Sequence, residues 1–242
     1  MNPLIFFPLL AFLLGVFVSI FLFIDWLRHG RRPWFLLLWA VALFLFYWFQ
    51  VPVVLTNLGV VIVVANFNLF FALTFPITFL SLILIFLGVL EITKTPIGKW
   101  VKGALVLWLL SSIIFFVWQF VANEGIIKTY SLPLVGNLVF YLPIRILIIG
   151  TLLRWLLKTG TKTILGYLGA IGVIGESVLG IVRNVLILKS VLFYPPEFWY
   201  VVLSGLKIFF MLQTFSIFLI SFGFLFLHRM YYRSRTAPEG KS

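Results

Sequence analysis

The sequence predicts an all-α, polytopic integral membrane bundle of seven transmembrane helices, with the N-terminus outside and the C-terminus cytoplasmic. Three observations carry this expectation. Hydrophobic side chains make up 63% of the 242 residues and charged ones 10%, against roughly 45–50% and 25% in soluble domains. Apolar runs of about 20 residues, the length needed to cross a hydrocarbon core of about 30 Å, follow one another along the chain. The basic residues behind the net charge of +12 gather in the short gaps between these runs, where an excess of Lys and Arg marks cytoplasmic loops. The whole of 1–242 is read as a single membrane domain.

Residues 4–27 form the first span. No positive segment precedes them, and the run exceeds the roughly 7–15 apolar residues of a cleaved signal peptide, so the span is expected to be retained. Arg28, Arg31 and Arg32 follow at once and hold its end in the cytoplasm. Asp25, beside Trp26 and these arginines, is expected in an interfacial ion pair. The uncharged stretch 34–90 has room for two spans, 34–55 and 68–90, joined by a turn that, with its flanks, falls at Pro52, Asn57, Asn66 and Asn68. Pro76 is expected to kink the second of them, as membrane helices tolerate.

Lys94, Lys99 and Lys102 mark the next inner gap, ahead of a fourth span at 103–121. The fifth span, 134–153, enters from the outer side after Glu124 and Lys128 and ends at Arg154, Lys158 and Lys162. The sixth, 163–182, leads to an outer segment that holds Arg183 and Lys189 and breaks at Pro195 and Pro196; its 184–193 part either prolongs the helix or lies in the interface. The seventh, 198–227, ends at His228, Arg229, Arg233 and Arg235. Thirteen Lys and Arg fall on the inner side and three on the outer, so seven spans satisfy the charge rule at every loop. A multi-pass protein of the cell membrane follows, with the lipid bilayer as its first partner and no role in binding nucleic acid.

The last hydrophobic third holds the chemistry. Arg145, Glu176 and Lys207 each interrupt an otherwise apolar span, and a charge near mid-bilayer costs about 3 kcal/mol or more unless paired or hydrated. At 100° per residue, Gly169, Gly172, Glu176, Gly180 and Arg183 fall within about 80° of one another on the sixth helix. Such a small-residue face is built for close approach of another helix. The same arithmetic aligns Ser204, Lys207, Met211, Thr214 and Ser221 on the seventh helix, and Asn137, Tyr141 and Arg145 along the fifth. At 1.5 Å per residue, Glu176 lies about 20 Å from the inner end of its span, with Arg145 and Lys207 about 18 and 14 Å from the outer ends of theirs. Matched depth predicts that Glu176 pairs with Arg145, Lys207 or both. The site residues are therefore Arg145, Glu176, Lys207, Tyr141, Asn137, Ser204 and Thr214. A purely structural role, fixing helix register, has comparable standing.

Much other chemistry is excluded. There is no cysteine, so disulfides, thiol nucleophiles and iron–sulfur sites are ruled out. His29 and His228 lie on spans far apart in sequence, with no carboxylate at ligand spacing, so no metal or haem is expected. No Ser, His and Asp set suited to hydrolysis is present, and the glycines of the sixth span lack the lysine and hydroxyl of a phosphate loop. No catalytic residue and no cofactor are expected.

Seven spans with Lys207 in the last resemble the layout of the microbial rhodopsins, in which that lysine carries retinal. The resemblance stops there: the third span has no carboxylate before Glu91, and Leu203 stands one turn ahead of Lys207. The layout is also similar to the seven-helix sensor modules of bacterial kinases and cyclases. With no effector after Ser242, such a module is expected to signal through a separate partner. Three functional classes remain. The leading one is a non-enzymatic, receptor-like or accessory module that binds a small anionic ligand or a partner's membrane helix between spans five, six and seven. A small transporter or channel subunit ranks second, since no internal repeat is visible, and a structural subunit of a larger membrane complex third.

Overall fold

The computed structural model describes residues 3–48, 64–122, 134–158, 163–193 and 207–236, and these form seven helices. They are α1 (Pro3–Arg28), α2 (Trp34–Trp48), α3 (Val64–Ile92), α4 (Lys99–Ala122), α5 (a π-helical start, Gly136–Tyr141, continued by Leu142–Lys158), α6 (Ile164–Phe193) and α7 (Lys207–Thr236). Six are long and apolar enough to cross a membrane, and the described part of α2 is a shorter apolar helix. The chain is an all-α, multi-pass membrane protein.

Several boundaries differ from the expected ones. α3 begins at Val64 instead of 68, so Asn66 and Asn68 lie within the helix and do not flank the turn. α4 begins at Lys99 instead of 103, because lysine is a good helix former and its long stem carries the charge to the interface. α6 continues eleven residues past 182, to Phe193, with 184–193 prolonging the helix, and so draws Arg183 into the bundle. α7 extends past 227 to Thr236, and its expected beginning, 198–206, lies outside the described residues, as does the turn around Pro52 and Asn57. The π-helical start of α5 has a local cause in Pro143. Proline offers no N–H, and its ring collides with the carbonyl four residues back, here Val139, so the turn widens. The N–H of Leu142 then reaches the carbonyl of Asn137, five residues back. Pro76 lies inside an unbroken α3.

Two helices end in matching caps. The N–H of Arg31 bonds the carbonyl of Trp26 and that of Gly30 bonds Leu27, with Gly30 at φ 67°; Thr95 and Lys94 bond Leu90 and Glu91 in the same way. Both are Schellman ends, whose left-handed residue is usually glycine. α2 starts against the end of α3, where a Glu91 carboxylate oxygen accepts the N–H of Trp34 at 2.9 Å. A negative charge there complements the helix dipole and satisfies an otherwise orphaned donor.

The helices pack in a closed circuit, α1 on α2, α2 on α3, α3 on α5, α5 on α6, α6 on α7 and α7 back on α1, with α4 outside against α3. Lipid supplies no hydrophobic force between helices, so close packing and interhelical hydrogen bonds must hold them. The tightest pair is α6 and α7. A Cβ at Gly172 would lie 2.6 Å from the carbonyl oxygen of Leu219, and one at Gly223 3.0 Å from that of Gly169. Hydroxyl and indole donors tie other pairs through main-chain carbonyls: Ser19 to Ala40 at 2.7 Å, Thr214 to Phe7 at 2.9 Å and Trp39 to Ile85 at 3.3 Å. The Trp39 indole fills a notch at Gly88 and stacks on Phe224 of α7, ring centroids 4.1 Å apart. Both aromatic side chains are fully buried, so this layer plugs the interior of the circuit.

The glycine contact predicts a measurable asymmetry. Gly172→Ala should lower unfolding stability in detergent by about 1–3 kcal/mol, the usual cost of overpacking. Gly150→Ala, on α5 with open space around it, should leave stability unchanged or raised. Thermal unfolding followed by helicity checks both, and equal effects would contradict the packing described.

Candidate functional site

Glu176 sits near the middle of α6, one turn before Gly180 and seven residues before Arg183, so all three share a face. Across from them, Arg145 of α5 donates through Nη1 to both carboxylate oxygens of Glu176, at 2.9 Å each, and to its main-chain oxygen at 3.4 Å. Arg183 Nη2 lies 3.4 Å from Glu176 Oε1. Ser216 of α7 completes the ring of contacts: its Oγ donates to Glu176 Oε1 at 3.3 Å and accepts from Arg183 Nη2 at 3.4 Å. The side chains of Arg145, Glu176 and Arg183 are 4%, 1% and 7% exposed, so water screens little of this interaction.

Gly180 is the seat of the site. A Cβ at this position would overlap the Arg145 guanidinium, so only glycine lets α5 deliver the cation to the carboxylate one turn away. Arg183 is placed from another side, its guanidinium 6.0 Å from the ring centroid of Phe46 on α2, at the outer limit of a cation–π contact. Tyr47, next along α2, packs its ring into a notch at Gly15 and lies within electrostatic reach of Glu176 and both arginines.

The charges do not cancel. Two guanidiniums face one carboxylate, leaving a surplus of one positive charge in a buried setting. Several polar atoms nearby are unused: among the described residues, Arg145 Nε, Arg183 Nε, Asn184 Nδ2 and the Tyr47 hydroxyl have no hydrogen-bond partner. A buried donor without an acceptor costs about 1–3 kcal/mol. The site is thus short of negative charge and has guanidinium donors left over.

The expected site residues separate into groups. Arg145 and Glu176 meet directly. Asn137 and Tyr141 are buried on the same helix, but the Tyr141 hydroxyl donates to the carbonyl of Phe75 at 2.9 Å and ties α5 to α3. Thr214 is buried and spends its hydroxyl on Phe7. Lys207 opens α7, but its side chain lies outside the described residues, as does the whole of Ser204.

Two expectations need correction. The sequence puts Arg183 in an outer segment, yet it belongs to the cluster because α6 does not stop at 182; the helical face that contains Glu176 already includes it. On α7, Met211, aligned by sequence with Thr214 and Ser221, is 50% exposed while those two are buried, and Gln213 and Ser216 are buried with them. The Gly169, Gly172 and Gly223 contact sets that rotation, and Ser216 lies seven residues before Gly223, on the same face. Small residues at that spacing were the available signal.

The histidines also behave otherwise than expected. Because α1 packs on α7, His228 Nε2 donates to Asp25 Oδ2 at 2.6 Å, and His29 Nδ1 donates to the Asp25 main-chain oxygen at 2.9 Å. The rings of both histidines flank Tyr232, with centroids 4.9 and 4.2 Å away. Asp25 therefore has histidine partners, and residues far apart in sequence are neighbours. Among the described residues no group of three or more His, Cys, Asp or Glu is arranged to hold a metal ion.

Comparison with protein-family models, with curated proteins and with solved structures returns no match. The site stands on its own geometry.

A double-mutant cycle tests that geometry. Glu176→Gln should destabilise the protein by about 3–5 kcal/mol, since it leaves two buried guanidiniums without a carboxylate. Adding Arg145→Met should cost less than the sum of the single changes, with a coupling of about 1–3 kcal/mol. Additive effects would mean that the pair is not formed.

Proposed function

We propose that this multi-pass membrane protein is a non-enzymatic, receptor-like or accessory module whose buried Arg145, Glu176 and Arg183 cluster binds a small anionic ligand of the carboxylate type. The observation that carries the proposal is the uncompensated charge: two guanidiniums and one carboxylate, each less than a tenth exposed, with guanidinium N–H groups to spare. A carboxylate or similar anion supplies the missing charge and accepts from the unused guanidinium N–H groups, and charge-assisted bonds to guanidinium are about twice as strong as neutral ones. Within the proposed topology, N-terminus outside, C-terminus cytoplasmic and seven spans, the cluster reaches from mid-depth towards the outer face. With Arg183 taken into the cluster, thirteen inner against two outer Lys and Arg, Lys128 and Lys189, support that orientation.

Transport ranks below binding because the Trp39 and Phe224 stack fills the interior one layer away. A pathway through the circuit requires that layer to open.

Thermal unfolding of the full chain in detergent provides the test, with acetate, succinate or inorganic phosphate added at matched ionic strength. A ligand at a hundred times its Kd should stabilise by about 2.7 kcal/mol, and Arg183→Gln should remove the effect. If none of the anions stabilises the parent protein more than chloride does, the proposal fails. Anion flux into liposomes that is lost in Arg145→Ala would favour the transporter instead.

A further inference from the structure

A cleft of about 620 Å³ lies between α2, α3 and α4, open along one side and away from the charged cluster. Its walls are apolar, with Leu38 from α2, Leu80, Leu84 and Leu87 from α3, and Leu105 and Leu109 from α4. Polar groups occur at one end only: Glu91, Thr95 and Lys102. From Leu80 to Glu91 is about 16 Å along the helix at 1.5 Å per residue, close to half of a hydrocarbon core of about 30 Å. The cleft therefore spans one leaflet, apolar in the depth of the membrane and polar at the level of the headgroups.

The charge at its mouth is positive. Glu91, whose carboxylate accepts the N–H of Trp34, contributes one negative charge, against Lys102 and the neighbouring Lys99, and among the described residues no carboxylate pairs with the exposed Lys102. Lys99 stands one turn away at the start of α4, whose first turn holds no acidic residue, so the helix dipole adds to the same potential. Trp100 between them is 92% exposed, as a side chain seated among headgroups is. A membrane-spanning helix that packs only along one side leaves such a groove to whatever fills the surrounding leaflet. The occupant that matches one-leaflet length, an apolar wall and a cationic mouth is a single anionic lipid.

We propose that the cleft between α2, α3 and α4 is a binding site for one anionic phospholipid, an acyl chain lying along Leu80, Leu84 and Leu109 and the phosphate held by Lys102. The lipid acts as a strut for α4, the helix outside the circuit. This site is separate from the Arg145, Glu176 and Arg183 cluster, and neither proposal depends on the other.

Native mass spectrometry of the full chain in detergent tests it, with dioleoylphosphatidylglycerol and dioleoylphosphatidylcholine added at equal concentration. One phosphatidylglycerol should be retained about fivefold better than phosphatidylcholine, the factor expected for one lysine against an anionic headgroup. Lys102→Gln, at an exposed position where folding is not at risk, should abolish that preference, whereas Lys158→Gln at the end of α5 should not. Leu84→Trp, which fills the cleft, should reduce retention of both lipids. Equal retention of the two lipids, a preference unchanged in Lys102→Gln, or a dimer of the chain that Leu84→Trp disperses would each overturn the proposal, the last by assigning the cleft to a second copy.

Discussion

A carboxylate removed from water must be met by a cation, and Glu176 is met by two. That requirement constrains the bundle more tightly than any apolar contact. Leu and Phe surfaces are as content against lipid as against one another, and they tolerate rotation and sliding. A carboxylate that receives Arg145 from α5, Arg183 from its own helix and Ser216 from α7 fixes the rotation and depth of three helices at once. Gly180 is part of the same constraint, because any side chain there would occupy the volume of the guanidinium.

Elsewhere the fold relies on close fit. The backbones of α6 and α7 approach through Gly169, Gly172 and Gly223, a contact that brings carbonyl oxygens and α-carbons of opposite helices together. Aromatic rings in glycine notches do similar work between α1 and α2 and between α2 and α3. The circuit is then held at two levels by polar groups, by the arginine and glutamate cluster towards one end and by Asp25 with His29 and His228 at the other. Between them the buried Trp39 and Phe224 stack separates the two. A bundle built in this way has a buried polar node surrounded by apolar surface.

α4 departs from this scheme. It packs mainly along α3, outside the circuit, with Phe115 and Phe116 also meeting Phe140 of α5, and presents Val106, Leu107, Ile114, Val117 and Trp118 outward. Its attachment relies on apolar and aromatic fit, with the cleft of α2, α3 and α4 beside it.

The sequence alone determined the class of this protein and the approximate position of its helices, because about 20 consecutive apolar residues have few other uses and because basic residues punctuate the runs. It also singled out Arg145 and Glu176, since an ionisable group in an apolar span is costly wherever it lies. What it could not determine was which distant residues become neighbours. Arg183 is legible as a member of the Glu176 face, but nothing in the order of residues marks that α6 runs on to Phe193 and holds it beside the carboxylate. Ser216 and the meeting of His228 with Asp25 depended on the rotation of α7 and on its packing against α1. Those are set by steric fit at a few glycines, a property of surfaces in three dimensions that exists only once the helices are assembled.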